Sequence, residues 1–318
     1  MSPFALPADV TVLERGWLSS NSVILFDEHQ GAVLVDTGYH SHQAQTAALV
    51  QQALSAHAHT SPALRLIVNT HLHSDHCGGN AKLSQQFNCP IAIPPGEFDA
   101  AARWDEAALS YADSGQHCPR FTPSYALTPG EEIVQGHRRW QVHAAPGHDP
   151  HSVVLFEPDS GILISADALW QHGFGIVFPA IEGGAGVDRG FAEVEATLDL
   201  ITTLPVRYVI PGHGSPFSDV EGAMRTARQR LTYFRQNPSR HASHAAKALI
   251  MFRLLDVGAQ SAAQFLGGLD NTPVHCALWR GHFSHQPLRQ WSESLLAELA
   301  QNGQLALNDA QLSVPPQR

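Results

Sequence analysis

Cysteine is scarce in this chain: four in 318 residues, at Cys77, Cys89, Cys118 and Cys276, with no CxxC pair. So few and so scattered, they exclude a disulfide framework and point to a reduced, cytoplasmic chain. The start, Met1-Ser2-Pro3-Phe4, lacks a basic segment and a following apolar run, so no secretory signal is expected. No run of 18 apolar residues occurs, and no membrane-spanning helix is expected. Charge is also thin, at 15% of residues, and cations are the scarcer sign, leaving a net charge of -10. Proteins whose main task is gripping phosphate backbones are usually basic, so nucleic acid is disfavoured as a partner. What the chain does have is apolar content, at 43%, with a mean hydropathy of -0.14. That supports a soluble globular protein of one large or two ordinary domains.

Histidine is plentiful, with 20 residues, so a lone histidine carries little information. One stretch stands apart, Asn69-Thr70-His71-Leu72-His73-Ser74-Asp75-His76-Cys77-Gly78-Gly79-Asn80. Imidazole nitrogens and a carboxylate packed so closely suit a borderline divalent metal, above all zinc. Buried together with nothing to neutralise them, they would be costly.

In chain order, residues 22–26 and 32–35 read as a hairpin that ends in Asp36-Thr37-Gly38. Residues 43–56 carry a helical pattern, and 64–68 form an apolar strand running into the histidine cluster. A helix over 80–87 and a strand over 89–93 follow. Residues 94–130, bounded by Pro94-Pro95-Gly96 and Pro129-Gly130, hold Phe98, Trp104, Tyr111, Phe121 and Tyr125. This insertion reads either as a lid over a site or as a side element burying its own aromatics. Strands return at 138–145, 152–156, 161–165 and 207–210, with a helix over 190–204. The alternation predicts an α/β (α+β) layered fold.

Four predicted strands end in a candidate ligand: the His71 to His76 cluster, His148 in Pro146-Gly147-His148, Asp167 in Ala166-Asp167-Ala168, and His213 in Pro211-Gly212-His213-Gly214. Ligands at strand ends are held rigidly yet reach loops open to substrate. Five histidines and two aspartates suffice for two metals, one taking three imidazoles, the other two imidazoles and a carboxylate, with the second carboxylate bridging.

The motif His71-x-His73-x-Asp75-His76, followed in order by His148, Asp167 and His213, resembles the metallo-β-lactamase superfamily over roughly residues 10–217. The resemblance implies a four-layer αββα sandwich with a dinuclear site on one edge. It implies that His71, His73 and His148 hold one ion, that Asp75, His76 and His213 hold the other, and that Asp167 bridges them. Asp36-Thr37-Gly38 matches a recurrent turn whose aspartate holds a ligand histidine through its other ring nitrogen. Enzymes of this family that hydrolyse β-lactams usually place a cysteine in the second site. Cys77 is not at that position, and the full His/Asp set is instead similar to the glyoxalase II, lactonase and RNase Z branches. The implied cofactors are two divalent ions, zinc first, with iron or manganese as alternatives. Two ions about 3.5–4 Å apart can share a hydroxide of pKa near ~7 that attacks an ester, thioester or lactone carbonyl. Asp75 would orient it and take up a proton. His151, Trp170, His172, Phe174 and Phe178 are candidate substrate-pocket residues.

Residues 219–318 read as a second unit after a catalytic domain over 1–218. Helices are predicted over 219–236, 241–255, 261–266 and 288–301, then a hairpin-like tail. Helices closed by a hairpin resemble a small winged-helix-like domain, either packing against the catalytic unit or, in the alternative reading, carrying nucleic acid to a metal-dependent nuclease. A mononuclear iron enzyme like the persulfide dioxygenases is a more distant alternative. The expected partner is a small-molecule substrate, with no membrane, and a homodimer is left open.

Overall fold

The computed structural model describes residues 5–57, 63–181, 185–308 and 310–315. The first half runs β1 (Val10–Leu13), β2 (Ser22–Leu25), β3 (Ala32–Val35), α1 (Gln43–Ala56), β4 (Leu64–Val68), α2 (Ser74–Cys77), α3 (Asn80–Phe87), β5 (Ile91–Ile93), α4 (Phe98–Arg103), α5 (Tyr111–Ser114) and β6 (Tyr125–Ala126). These strands form one sheet in sequence order, antiparallel from β1 to β3 and parallel from β3 to β6. The second sheet uses β7 (Glu132–Gln135), β8 (Arg138–Ala144), β9 (Val153–Glu157), β10 (Ile162–Ala166) and β11 (Tyr208–Pro211), in the order β11-β10-β9-β8-β7. Helices α6 (Ala185–Thr203) and α7 (Val220–Gln236) cover its outer face.

Period-two alternation decides the layering. In β2 and β3, Ile24 and Leu34 face outward and pack with Ala47, Val50 and Leu54 of α1 and Leu83 of α3. Their neighbours Val23, Leu25, Val33 and Val35 face inward and meet Trp140, Val142, Leu155, Ile164 and Ile210 of the second sheet. Two sheets with a shared core and a helical layer outside each make the four-layer sandwich.

The insertion splits its roles. Tyr111 and Phe121 are buried in the outer core of the first sheet, with Phe98 and Trp104 packed against it, while Tyr125 stays exposed. Its Gln116 nevertheless reaches the site, accepting a 2.6 Å hydrogen bond from Ser74 in α2.

The C-terminal part is α8 (Pro238–Val257), β12 (Gln260–Ser261), α9 (Ala262–Leu269), α10 (Pro273–His282), α11 (Leu288–Gln301) and the hairpin β13 (Ala306–Asn308) and β14 (Gln311–Ser313), with sheet order β12-β14-β13. Helix α7 lies before this cluster: Ala223, Ala227, Leu231 and Phe234 belong to the core outside the second sheet. Helix α8 starts at Pro238, ahead of the expected 241, because proline is tolerated in the first turn of a helix. The cluster buries Ile181, and Ile176 and Phe178 pack against it, so it rests on the loop that follows Asp167.

This cluster carries buried neutral histidines. Burial, then His244 and Arg230, pushes His241 down to about 3, and its Nε2 accepts the Val177 amide at 3.1 Å. Burial and Arg253 push His275 down to about 4. Between these values and the ordinary value near ~6.5, the unfolded chain binds the extra protons, so stability falls as pH drops through that window. The urea midpoint should be lower at pH 5 than at pH 7.5, and His275→Gln should flatten that dependence. An unchanged midpoint would contradict it.

Candidate metal centre

Strand direction gathers the site. β3 and β4 are parallel and end together, delivering Asp36 and the His71 to His76 segment. In the second sheet β8 and β10 each pair antiparallel with β9, and β10 is parallel to β11, so all three end at one edge. That edge carries His148, Asp167 and His213. The seven side chains meet as two groups, His71, His73 and His148, and Asp75, His76, Asp167 and His213, with the ligand atoms of each group within 4.8 Å of one another.

Asp36 organises the first sheet's contribution. Its carboxylate accepts from the Thr70 amide at 2.9 Å and the Thr70 hydroxyl at 2.8 Å. It also accepts from His76 Nδ1 at 2.7 Å. The Thr70 hydroxyl, having given its proton to Asp36, accepts from His71 Nδ1 at 3.1 Å. Both imidazoles are thereby set with Nδ1 protonated and the Nε2 lone pair turned inward. Asp36 sits in the left-handed region at φ 58° and Ala166, just before Asp167, at φ 45°. Non-glycine residues hold that conformation only where surrounding structure enforces it.

His148 Nδ1 donates to the Ile176 carbonyl at 2.6 Å, so its Nε2 also faces inward. It lies 2.8 Å from His73 Nδ1 and 3.3 Å from Asp167 Oδ2. Asp167 Oδ1 is 3.5 Å from His76 Nε2 and accepts from Trp170 Nε1 at 3.2 Å. His213 Nε2 is 3.0 Å from Asp75 Oδ2. Burial, then the neighbouring histidines, holds His71 well below its ordinary value, and burial and His148 push His73 down to about 4. Burial would raise Asp167, but His76, His213 and His148 outweigh it and keep the carboxyl well below its usual range. His71 and His73 are therefore neutral and Asp167 ionised, the forms that bind a metal. At His76 burial is outweighed by Asp167, Asp36 and Asp75, which hold it well above its ordinary value, so this imidazole must release a proton for a metal to bind.

Two observations test whether a metal fits. Nε2 of His71 and Nε2 of His76 are buried without any hydrogen-bond partner. A buried polar atom left unpaired is costly, and here both point into a His/Asp cluster that a divalent ion would satisfy. The backbone also leaves no spare volume: a Cβ at Gly212 would collide with Asp167 Oδ1, and one at Gly175 would lie 2.5 Å from His148 Nδ1.

Cys77 stays outside both groups, buried against Leu72 O, His73 O and Tyr111 Oη. Of the expected pocket residues, Trp170 and Phe178 line a cavity of about 190 Å³ above the ligands. His151 lines a larger neighbouring cavity of about 770 Å³. Phe174 is instead buried in the core outside the second sheet, and His172 is exposed, offering its carbonyl to Arg230 at 3.2 Å. Trp17, Arg230, His244, Leu249 and Phe252 also line the cavity above the ligands. No periodicity or motif marks them, because they come from an N-terminal loop and from α7 and α8.

Comparison with known proteins agrees with the geometry. The family model described as the metallo-beta-lactamase superfamily matches residues 15–213. The hydroxyacylglutathione hydrolase of Idiomarina loihiensis is 30% identical over 118 residues, covering 37% of this chain and 38% of that protein. The acyl-coenzyme A thioesterase MBLAC2 of Bos taurus is 28% identical over 183 residues, covering 53% of this chain and 61% of that one. The chain thus spans less than two thirds of either relative. A beta-lactamase domain protein from Burkholderia ambifaria shares the fold at TM-score 0.57 and 21% identity, covering 98% of this chain and 94% of that one. The protein TTHA1623, solved in a di-iron-bound form, is 26% identical at TM-score 0.51, covering 69% of this chain and 98% of that one. With the family's domain spanning most of the sandwich and a His/Asp cluster at its edge, the chain belongs to the metallo-beta-lactamase superfamily.

Proposed function

We propose that the chain hydrolyses an ester, thioester or lactone of a small molecule at a pair of divalent ions, zinc first and iron or manganese as alternatives. The observation that carries this is Asp167, whose Oδ2 faces His148 and whose Oδ1 faces His76. One carboxylate addressing both ligand groups is what a two-metal centre requires. His71, His73 and His148 would hold one ion, and Asp75, His76 and His213 the other. Such ions supply Lewis acidity and a water activated near neutral pH.

The chain's own residues do the rest. Asp36, through Thr70 and directly, keeps His71 and His76 in the ligating tautomer. Asp75 Oδ2, already 3.0 Å from His213, is placed to hold a proton taken from water. Trp17, Trp170 and Phe178 wall the cavity and limit bulk water. The water oxygen joins the carbonyl carbon, the carbon–sulfur or carbon–oxygen bond breaks, and the proton goes to the leaving group. Relatives named as an acylglutathione hydrolase and an acyl-coenzyme A thioesterase favour the thioester within this class. The scarcity and scatter of cysteine support a cytoplasmic setting. Among the described residues, no helix is long and apolar enough to cross a membrane.

A panel of ester, thioester, lactone and aryl phosphodiester substrates, with metal content measured on the same sample, tests the proposal. Turnover of a carbonyl substrate that is lost on chelation and returned by zinc is expected. Cleavage of the phosphodiester alone would overturn it.

A further inference from the structure

Two cavities share the wall formed by His73 and Phe178. The smaller, about 190 Å³, lies over the ligands and is roofed by Ala248, Leu249 and Phe252 of α8. The larger, about 770 Å³, opens to the side. A substrate with its scissile carbonyl at the metal centre would place its smaller part in the first and its larger part in the second.

The small cavity is apolar and aromatic apart from the ligand groups, Gln116, His244 and one cation, Arg230. No carboxylate pairs with Arg230 in any ion pair among the described residues. Its guanidinium is held by neutral groups: Nη1 donates to His172 O at 3.2 Å and Nη2 donates to His244 Nε2 at 2.6 Å. It also lies over the rings of Phe174 and Phe234, at 5.7 and 5.2 Å. Its Nε is buried without a hydrogen-bond partner. The backbone makes room for it, since a Cβ at Gly173 would lie 2.7 Å from Arg230 Cδ. Burial alone weakens its hold on the proton, which an anion would offset. An arginine matches a carboxylate with two parallel donors.

We propose that Arg230 is a specificity residue that binds a carboxylate on the acyl part of the substrate, making the substrate class acyl thioesters or esters whose short acyl chain ends in a carboxylate. This rests on the hydrolase reading above and deepens it. His244 and His172 O position the guanidinium. The larger cavity is left for the leaving group.

The test pairs succinyl and butyryl thioesters of one thiol, N-acetylcysteamine, on the zinc-loaded full chain. The wild type should favour succinyl by about 10- to 100-fold in kcat/KM, the scale of a charge-assisted hydrogen bond. In Arg230→Met that ratio should fall to about one, chiefly through KM, and Arg230→Lys should retain part of it. A wild-type ratio near one overturns the proposal while leaving the hydrolase reading intact. Binding is measured separately, by tryptophan fluorescence, with succinamate against butyramide, which share a neutral amide and differ in the carboxylate. Succinamate should bind the wild type at least ~10-fold tighter, and the advantage should vanish in Arg230→Met. Persistence of the advantage in that variant would mean that the metals take the carboxylate, and overturns the proposal. Selective succinamate binding with no carbonyl turnover would keep the subsite and sink the hydrolase reading.

Discussion

Asp167→Ala should lose about one metal equivalent per chain and lower kcat/KM by roughly 10³-fold or more, the scale expected when several kcal/mol of charge stabilisation disappear. The reason is local. Asp167 is buried, its two oxygens face different ligand groups, and among the described residues its only side-chain donor besides histidine is Trp170 Nε1. Alanine leaves His76 and His148 facing an empty volume and removes the negative charge that offsets two cations. Metal content by atomic emission and kinetics on the same preparation check it. A variant that keeps two metals would rule out bridging, whatever its rate.

Gly212→Ala should be nearly as damaging without touching any ligand. The added Cβ would collide with Asp167 Oδ1 and sit 3.0 Å from both Ala166 C and His76 Cε1. None of these is the free end of a flexible chain, so the ligands must move. A displacement near 1 Å at a reacting centre can cost about 10²-fold in rate. The variant should fold, bind metal more weakly and lose about that factor. Gly267→Ala is the control: its Cβ meets nothing within 4 Å, it lies inside α9, and it should leave turnover alone. Equal activity of both variants would show that the close approach at Gly212 does not matter.

Much of the catalytic sandwich is legible from sequence because its signals are local. The runs in β2, β3, β4 and β10 are apolar and bounded by turns, and each ligand sits just past a strand, beside glycine or proline in three of four cases. The role of Asp36 is legible only through the resemblance, as the aspartate of a recurrent Asp-Thr-Gly turn after an early strand. The elements that escape the reading are short or half-exposed. β1, β6 and β7 are at most four residues each and lie toward sheet edges, where alternation is weak. α10 follows a proline and mixes His275, Cys276 and Trp279 without a clean stripe. The pocket is the least legible part. Trp17, Arg230 and Phe252 come together only when an N-terminal loop, α7 and α8 fold over the same edge, and no spacing in the chain encodes that meeting. Phe174 shows the converse: an aromatic near Asp167 in sequence that turns into the core.

The candidate ligands come from both halves of the sandwich, the His71 to His76 cluster from one sheet and His148, Asp167 and His213 from the other. Neither leaf holds a complete set. An ion bound there cannot be kept by one leaf if the other opens, so its binding energy opposes every route of partial unfolding that parts them. The centre that does the chemistry is thus also a clasp, and filling it should make the two sheets melt as one unit.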